Sequence, residues 1–118
     1  MTELSEVEFS GDDVVVARLT GEIDLSNAAE VGESLSSAVP NTALGLVIDL
    51  TATTYLDSSG VHLLFDLGER LQRRQQRLRV VVPEGGPIRR VLRIVELDDT
   101  VPVMASVDEA VEQIRAAA

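Results

Sequence analysis

Asp57-Ser58-Ser59-Gly60 sets a carboxylate and two hydroxyls on consecutive residues, and the chain's single histidine, His62, follows just beyond them. Ser58 and His62 are four apart, a spacing that puts two side chains on one face of a helix and brings a nucleophile near a base. A serine hydrolase also needs a G-x-S-x-G elbow and a carboxylate that orients the base, and the sequence has neither pattern. His62 is therefore expected to be a half-exposed residue of the helix surface, and no catalytic residue is assigned. There is no cysteine, so a His/Cys metal site cannot be assembled, and the carboxylates lack the spacing of a calcium loop. No metal is expected. Gly32 and Gly85-Gly86 fit neither glycine-rich phosphate loop, and the chain has no lysine, so no nucleotide cradle and no cofactor is expected either. The chemistry that is left is a pair of hydroxyls presented to something else.

The elements around them determine how they are presented. Leu44, Leu46, Val47, Ile48 and Leu50 form an almost unbroken apolar run, expected to be a buried strand over 44–50. Residues 51–56 read as a loop, and Val61, Leu64, Leu67 and Leu71 then recur at helical spacing. The hydroxyls thus stand where strand gives way to helix, at a helix N-terminus whose free N–H groups and dipole favour oxygen atoms and negative charge. Upstream, residues 3–9 and 14–19 read as strands joined by the hairpin turn Gly11-Asp12-Asp13. Gly21-Glu22-Ile23-Asp24 is expected to be a loop, with Ser26 capping a helix that buries Ala28, Val31 and Leu35 and ends near Pro40-Asn41. Downstream, a strand over 78–82 leads through Pro83–Pro87 into a short helix packed by Ile88, Val91, Leu92 and Val95. Val101-Pro102-Val103 can be only a short edge strand, because proline lacks the ladder donor. Ser106 and Glu109 form a capping box for a last helix that buries Val107, Val111 and Ile114.

That order predicts a single α/β domain over residues 1–118, with a mixed, mostly parallel sheet of about four to five strands covered by about four helices. Ligands and partners of such sheets engage loops at the carboxyl ends of strands. Both Gly21–Asp24 and Asp57–Gly60 follow strand ends, which makes them expected neighbours.

Composition narrows the partner. A net charge of −10 with only 3% aromatic residues argues against nucleic acid, whose phosphates would be repelled and whose bases would find little to stack on. Apolar runs fall well short of the ~18 residues of a spanning helix, so no membrane is expected. The first residues lack a basic segment and an apolar segment, which gives no secretory signal, and the missing cysteines suit a cytoplasmic protein. Charge is uneven: residues 1–57 carry eleven acids and one arginine, whereas Arg70, Arg73, Arg74, Arg77, Arg79, Arg89, Arg90 and Arg93 face only Glu84 in their span. Such a cluster is either a protein-docking patch or a set of cations serving helix ends and solubility.

Leu56-Asp57-Ser58-Ser59-Gly60-Val61, with Leu19-Thr20-Gly21-Glu22-Ile23-Asp24 upstream, resembles the signature of STAS domains of the bacterial anti-sigma factor antagonist type, and the likeness covers nearly the whole chain. The resemblance implies a non-enzymatic switch in transcription control. The unphosphorylated protein would bind an anti-sigma factor of the serine kinase type and so release a sigma factor. That kinase would phosphorylate Ser58, and a serine phosphatase would reverse the step. Asp57, Ser59 and Gly60 flank the phosphosite; Glu22, Asp24, Ser58, Ser59 and His62 would contact the partner. Val61-His62 departs from the apolar, often Leu-Gly, pair common in the family. Ser59 suits the helix cap, its oxygen engaged by backbone N–H groups, which favours Ser58 as the modified hydroxyl. A receiver domain needs an acidic pair after its first strand and a late lysine, and the missing lysine makes that reading remote. The alternative is a STAS-like scaffold or sensor module that binds a protein without being phosphorylated.

Overall fold

The computed structural model describes residues 6–117. Strands β1 (Glu6–Ser10) and β2 (Val14–Ile23) form the expected antiparallel hairpin; residues 3–5 of the first expected strand lie outside the described residues. Helix α1 (Ala28–Ala38) leads to β3 (Gly45–Asp49), β4 (Thr53–Leu56) and helix α2 (Ser58–Arg73). β5 (Arg77–Val81), α3 (Pro87–Ile94), a 3₁₀ turn at Leu97–Asp99, β6 (Val103–Met104) and α4 (Val107–Ala117) complete the chain. Strand order is β1-β2-β3-β5-β6, parallel from β2 onward, with β4 paired to β2 off that path.

Alternation along the strands sorts their side chains onto two faces. Val15, Ala17, Leu19, Leu46, Ile48, Leu78 and Val80 meet Val31 and Leu35 of α1, Leu64, Leu67 and Leu71 of α2, and Leu92 of α3 in the main core. Val14, Val47 and Val81 face the other way, against Ala110 and Ile114 of α4. Val107 and Val111 are only partly buried there. Among the described residues no helix is long and apolar enough to cross a membrane.

The α/β class and the mostly parallel sheet stand as expected, and the differences concern single elements. The sheet has six strands, because 53–56 is a strand where the sequence reads as loop. β2 pairs with β3 from Val14 to Arg18, then runs on through Gly21–Ile23 to pair in parallel with β4. The register shifts between Gly21 and Glu22, and Gly21 has φ 98°, a bulge conformation open to glycine at no steric cost. Gly21–Ile23 is therefore strand, not loop. Ser26 does not cap α1: its N–H and hydroxyl both bond Asp24 Oδ1, and the residue before the helix is Asn27. Val95 ends α3 at 37% exposure; the chain turns there through Glu96 (φ 59°) and buries Leu97 instead. The short edge strand sits at Val103–Met104, two residues later than its expected start, and Val101 is core.

Candidate functional site

β4 is the element that assembles the site. By running beside the end of β2 it delivers Asp57 next to Ile23, whose carbonyl accepts from Asp57 N at 3.2 Å. Asp57 adopts extended geometry (φ −95°, ψ −171°) and caps α2. Its Oδ1 accepts from Ser59 N at 2.8 Å and Gly60 N at 3.1 Å, and its Oδ2 accepts from Leu25 N at 3.1 Å. One carboxylate thus satisfies two free N–H groups of the helix and pins the upstream loop to it. Gly21–Asp24 and Asp57–Gly60 are neighbours, as their places in the chain predict. The cap itself is a correction: Asp57 fills the position, and Ser59 is the second residue of the helix, where its own N–H, with that of Gly60, is one of the free donors that the Asp57 carboxylate satisfies.

The upstream loop is held just as tightly. Asp24 N donates to Asn27 Oδ1 at 3.0 Å, and Asn27 Nδ2 donates to Glu22 O at 2.8 Å. Asn27 is 2% exposed, so its amide is an internal brace across the turn. Bracing the backbone from inside leaves the tip outside: Leu25 is 82% exposed and Tyr55, across from Glu22 in the β2–β4 register, is 49% exposed. At Gly60 a Cβ would collide with the Leu56 side chain and crowd Ile23 Cγ2 at 3.2 Å. The glycine lets the first turn of α2 lie against the strand ends.

Ser58 is exposed, Ser59 and Asp24 are partly so, and His62 is exposed one turn further along α2. Two grooves meet around them. One, of about 690 Å³, runs between α1 and α2 past Ser58, Ser59 and His62 over Ala28, Ala29, Leu63 and Leu67. The other, of about 440 Å³, is lined by Asp24, Leu25, Ser26, Tyr55 and Asp57. Leu25 lines both. Glu22 is partly exposed beside Tyr55 and lines neither groove. Sequence reading missed Leu25, Asn27 and Tyr55. A lone leucine in a polar loop and an asparagine just before a helical run were the signals available for the first two.

Five of the clustered arginines have partners of their own. Arg70 pairs with Asp66 at 3.6 Å and Arg89 with Asp98 at 3.2 Å. Arg74 donates to Val39 O, Arg77 to Ala117 O and Arg79 to Gln113 Oε1. Burial, and after it the charge of Arg77, pushes the Arg79 guanidinium below its ordinary value. Apart from the Arg70–Asp66 pair within α2, these are ties between elements.

The STAS domain family profile matches residues 6–110, which takes in every strand, both grooves and the Asp57 cap. The chain belongs to the STAS domain family. This STAS domain is 32% identical over 102 residues to the anti-sigma-F factor antagonist RsfB of Mycobacterium tuberculosis, covering 86% of this chain and 82% of that one. It superposes with a TM-score of 0.81 on the crystal structure of an anti-sigma factor antagonist from Mycobacterium paratuberculosis, at 32% identity over 94% and 92% of the two chains. Unphosphorylated SpoIIAA, also an anti-sigma factor antagonist, shares the fold at a TM-score of 0.76, with 23% identity over 95% of this chain and 96% of its own.

Proposed function

We propose that this STAS domain is an anti-sigma factor antagonist: unphosphorylated, it binds an anti-sigma factor of the serine kinase type in the cytoplasm and thereby frees a sigma factor, and phosphorylation of Ser58 switches it off. A serine phosphatase restores the binding form. The observation that carries the reading is the exposed Ser58 hydroxyl at the first position of α2, between two grooves and next to uncovered Leu25 and Tyr55. The relatives at 32% identity, antagonists by name, support it. Leu25 and Tyr55 supply apolar anchors for a partner, and Asp24, Glu22, Ser59 and His62 a polar surround. The domain contributes a binding surface and a substrate hydroxyl rather than a catalytic group.

The physical account of the switch follows from where Ser58 stands. A phosphate adds about −1.5 to −2 charge. At a helix N-terminus free N–H groups and the dipole tolerate it, so the fold stays intact. The partner meets the cost, as charge and bulk appear beside Asp57 and Asp24 on a surface that had accepted a hydroxyl. Tandem mass spectrometry of the protein isolated from its native cells tests the assignment, with phosphate expected on Ser58. Phosphate on Ser59 alone, or none under any growth condition, overturns it. Ser58→Ala should keep its melting temperature and still capture the anti-sigma factor, while no longer being released by kinase and ATP.

A further inference from the structure

Ser58 and His62 stand one turn apart on α2, and both line the groove between α1 and α2. Helical side chains lean toward the N-terminus of their helix, which from His62 is the direction of the turn that carries Ser58. Both residues are exposed. Residues at this spacing have Cβ atoms about 5–6 Å apart, a gap that a phosphate ester and an imidazole span together.

The surrounding charges give a phosphate there only one favourable direction. On the strand-end side stand the carboxylates of Asp57 and Asp24, which repel a dianion. Along the groove the charged residues are Glu33 from α1 and Asp66 and Arg70 from α2. Arg70 already faces Asp66 at 3.6 Å and lies more than three turns down the helix from Ser58, out of reach. His62 is the group next to Ser58 in the groove that can carry a positive charge.

We infer that His62 is the phosphate-positioning residue of the switch: when Ser58 is phosphorylated, the His62 imidazolium binds the phosphate and draws it over the mouth of the α1/α2 groove. This rests on the reading of Ser58 as the phosphosite. The consequence is that one modification removes two features at once, the hydroxyl at the strand ends and access to the apolar groove beyond it. The phosphate and the imidazole also favour each other's charged forms.

The test installs phosphoserine at position 58 by genetic encoding, so that no kinase is needed, and follows two nuclei in a pH titration. His62 is the chain's only histidine, which makes its ring resonances unambiguous. The His62 titration midpoint should rise by about one pH unit in the phosphoprotein relative to the unmodified protein. The ³¹P midpoint of phosphoserine should lie lower in wild type than in His62→Gln by a similar amount, and Arg70→Gln should leave it unchanged. A His62 midpoint that does not move, a ³¹P titration indifferent to His62→Gln, or one that responds to Arg70→Gln instead overturns the inference. Failure of the phosphosite reading shows separately, as absence of phosphate on Ser58 in protein from native cells alongside an intact His62 shift in the encoded phosphoprotein.

Discussion

At the carboxyl ends of the parallel strands, side-chain oxygens accept from backbone N–H groups, whereas at the amino ends side-chain N–H groups donate to backbone carbonyls. Asp57 and Asp24 do the first, and Asn27 does so through its Oδ1 while its Nδ2 donates to Glu22 O. Gln76 Nε2 does the second, reaching Pro40 O at 2.8 Å and Ala43 O at 3.0 Å, as does Arg74 Nη2, which reaches Val39 O at 2.7 Å. Helix polarity is one cause, seen at the Asp57 cap of α2. In a strand–helix unit the helix starts where the strand ends, so free N–H groups collect at one edge of the sheet and free carbonyls at the other. Burial separates the edges further: Gln76 is 5% exposed, while Leu25 and Tyr55 stand out at 82% and 49%. The amide that makes these bonds at the amino edge is buried, whereas two apolar side chains stand uncovered at the carboxyl edge.

Isosteric swaps in opposite senses probe this contrast, and the largest effect is expected at the buried edge. Gln76→Glu replaces a donor by an oxygen facing two carbonyls, and should cost at least about 2 kcal/mol in urea unfolding. A cost near zero would show that the amino edge is not held by that amide. Asp57→Asn is the mirror change and should cost less, about 0.5–1.5 kcal/mol, because asparagine still caps a helix and only the bond from Leu25 N is lost. Hydrogen exchange locates that loss: the Leu25 amide should exchange about tenfold faster, as a bond of ~1.4 kcal/mol implies, with the interior of α2 unchanged. Equal acceleration along α2 would mean that Asp57 serves the helix alone.

Ser59→Ala sharpens the comparison further, since a residue inside the turn rather than at the cap should change stability by no more than about 0.5 kcal/mol. A loss of cap size would return the cap to Ser59. The smallest effect belongs to the ion pair that joins the hairpin to α4, Arg115 Nη2 to Asp13 Oδ1 at 2.9 Å. The hydrogen bond from Arg115, and then its charge, hold the Asp13 carboxyl below its ordinary 3.8. A depressed folded-state value stabilises above the unfolded value and is lost as pH falls through the folded one. Arg115→Ala should therefore be slightly less stable than wild type near neutral pH, and the difference should shrink as pH falls below 3.8 and through the lowered Asp13 value. A difference that persists in acid would assign the effect to packing instead.

How far the sequence could be read depended on the kind of signal each element carries. Long periodic segments, such as Val61 to Leu71 or Val14 to Leu19, bury a full stripe or face and announce it in one chain stretch. Ser106 caps α4 as its spacing with Glu109 predicts, with Glu109 N donating to Ser106 Oγ at 3.3 Å. Thr53–Leu56 carries no such signal: only its two end residues are buried, and it is a strand because β2 outruns β3 and offers a free ladder. Leu97 was missed for a related reason, since a single buried leucine after a helix end has no period to betray it.

What the sequence determined by itself is the α/β order, the helix N-terminus that presents Ser58, and the adjacency of two polar loops, because each follows from local periodicity or strand direction. What tertiary structure alone decided is who holds whom. Asp57 rather than Ser59 became the cap of α2, Ser26 bonded Asp24 instead of capping α1 while Asn27 braced the loop, and Leu25 and Tyr55 stayed uncovered, because these outcomes depend on which donors a folded β2–β4 pairing brings within bonding distance. Hydrogen bonds such as that from Leu25 to Asp57 join residues 32 apart, and no local pattern encodes a partner at that remove.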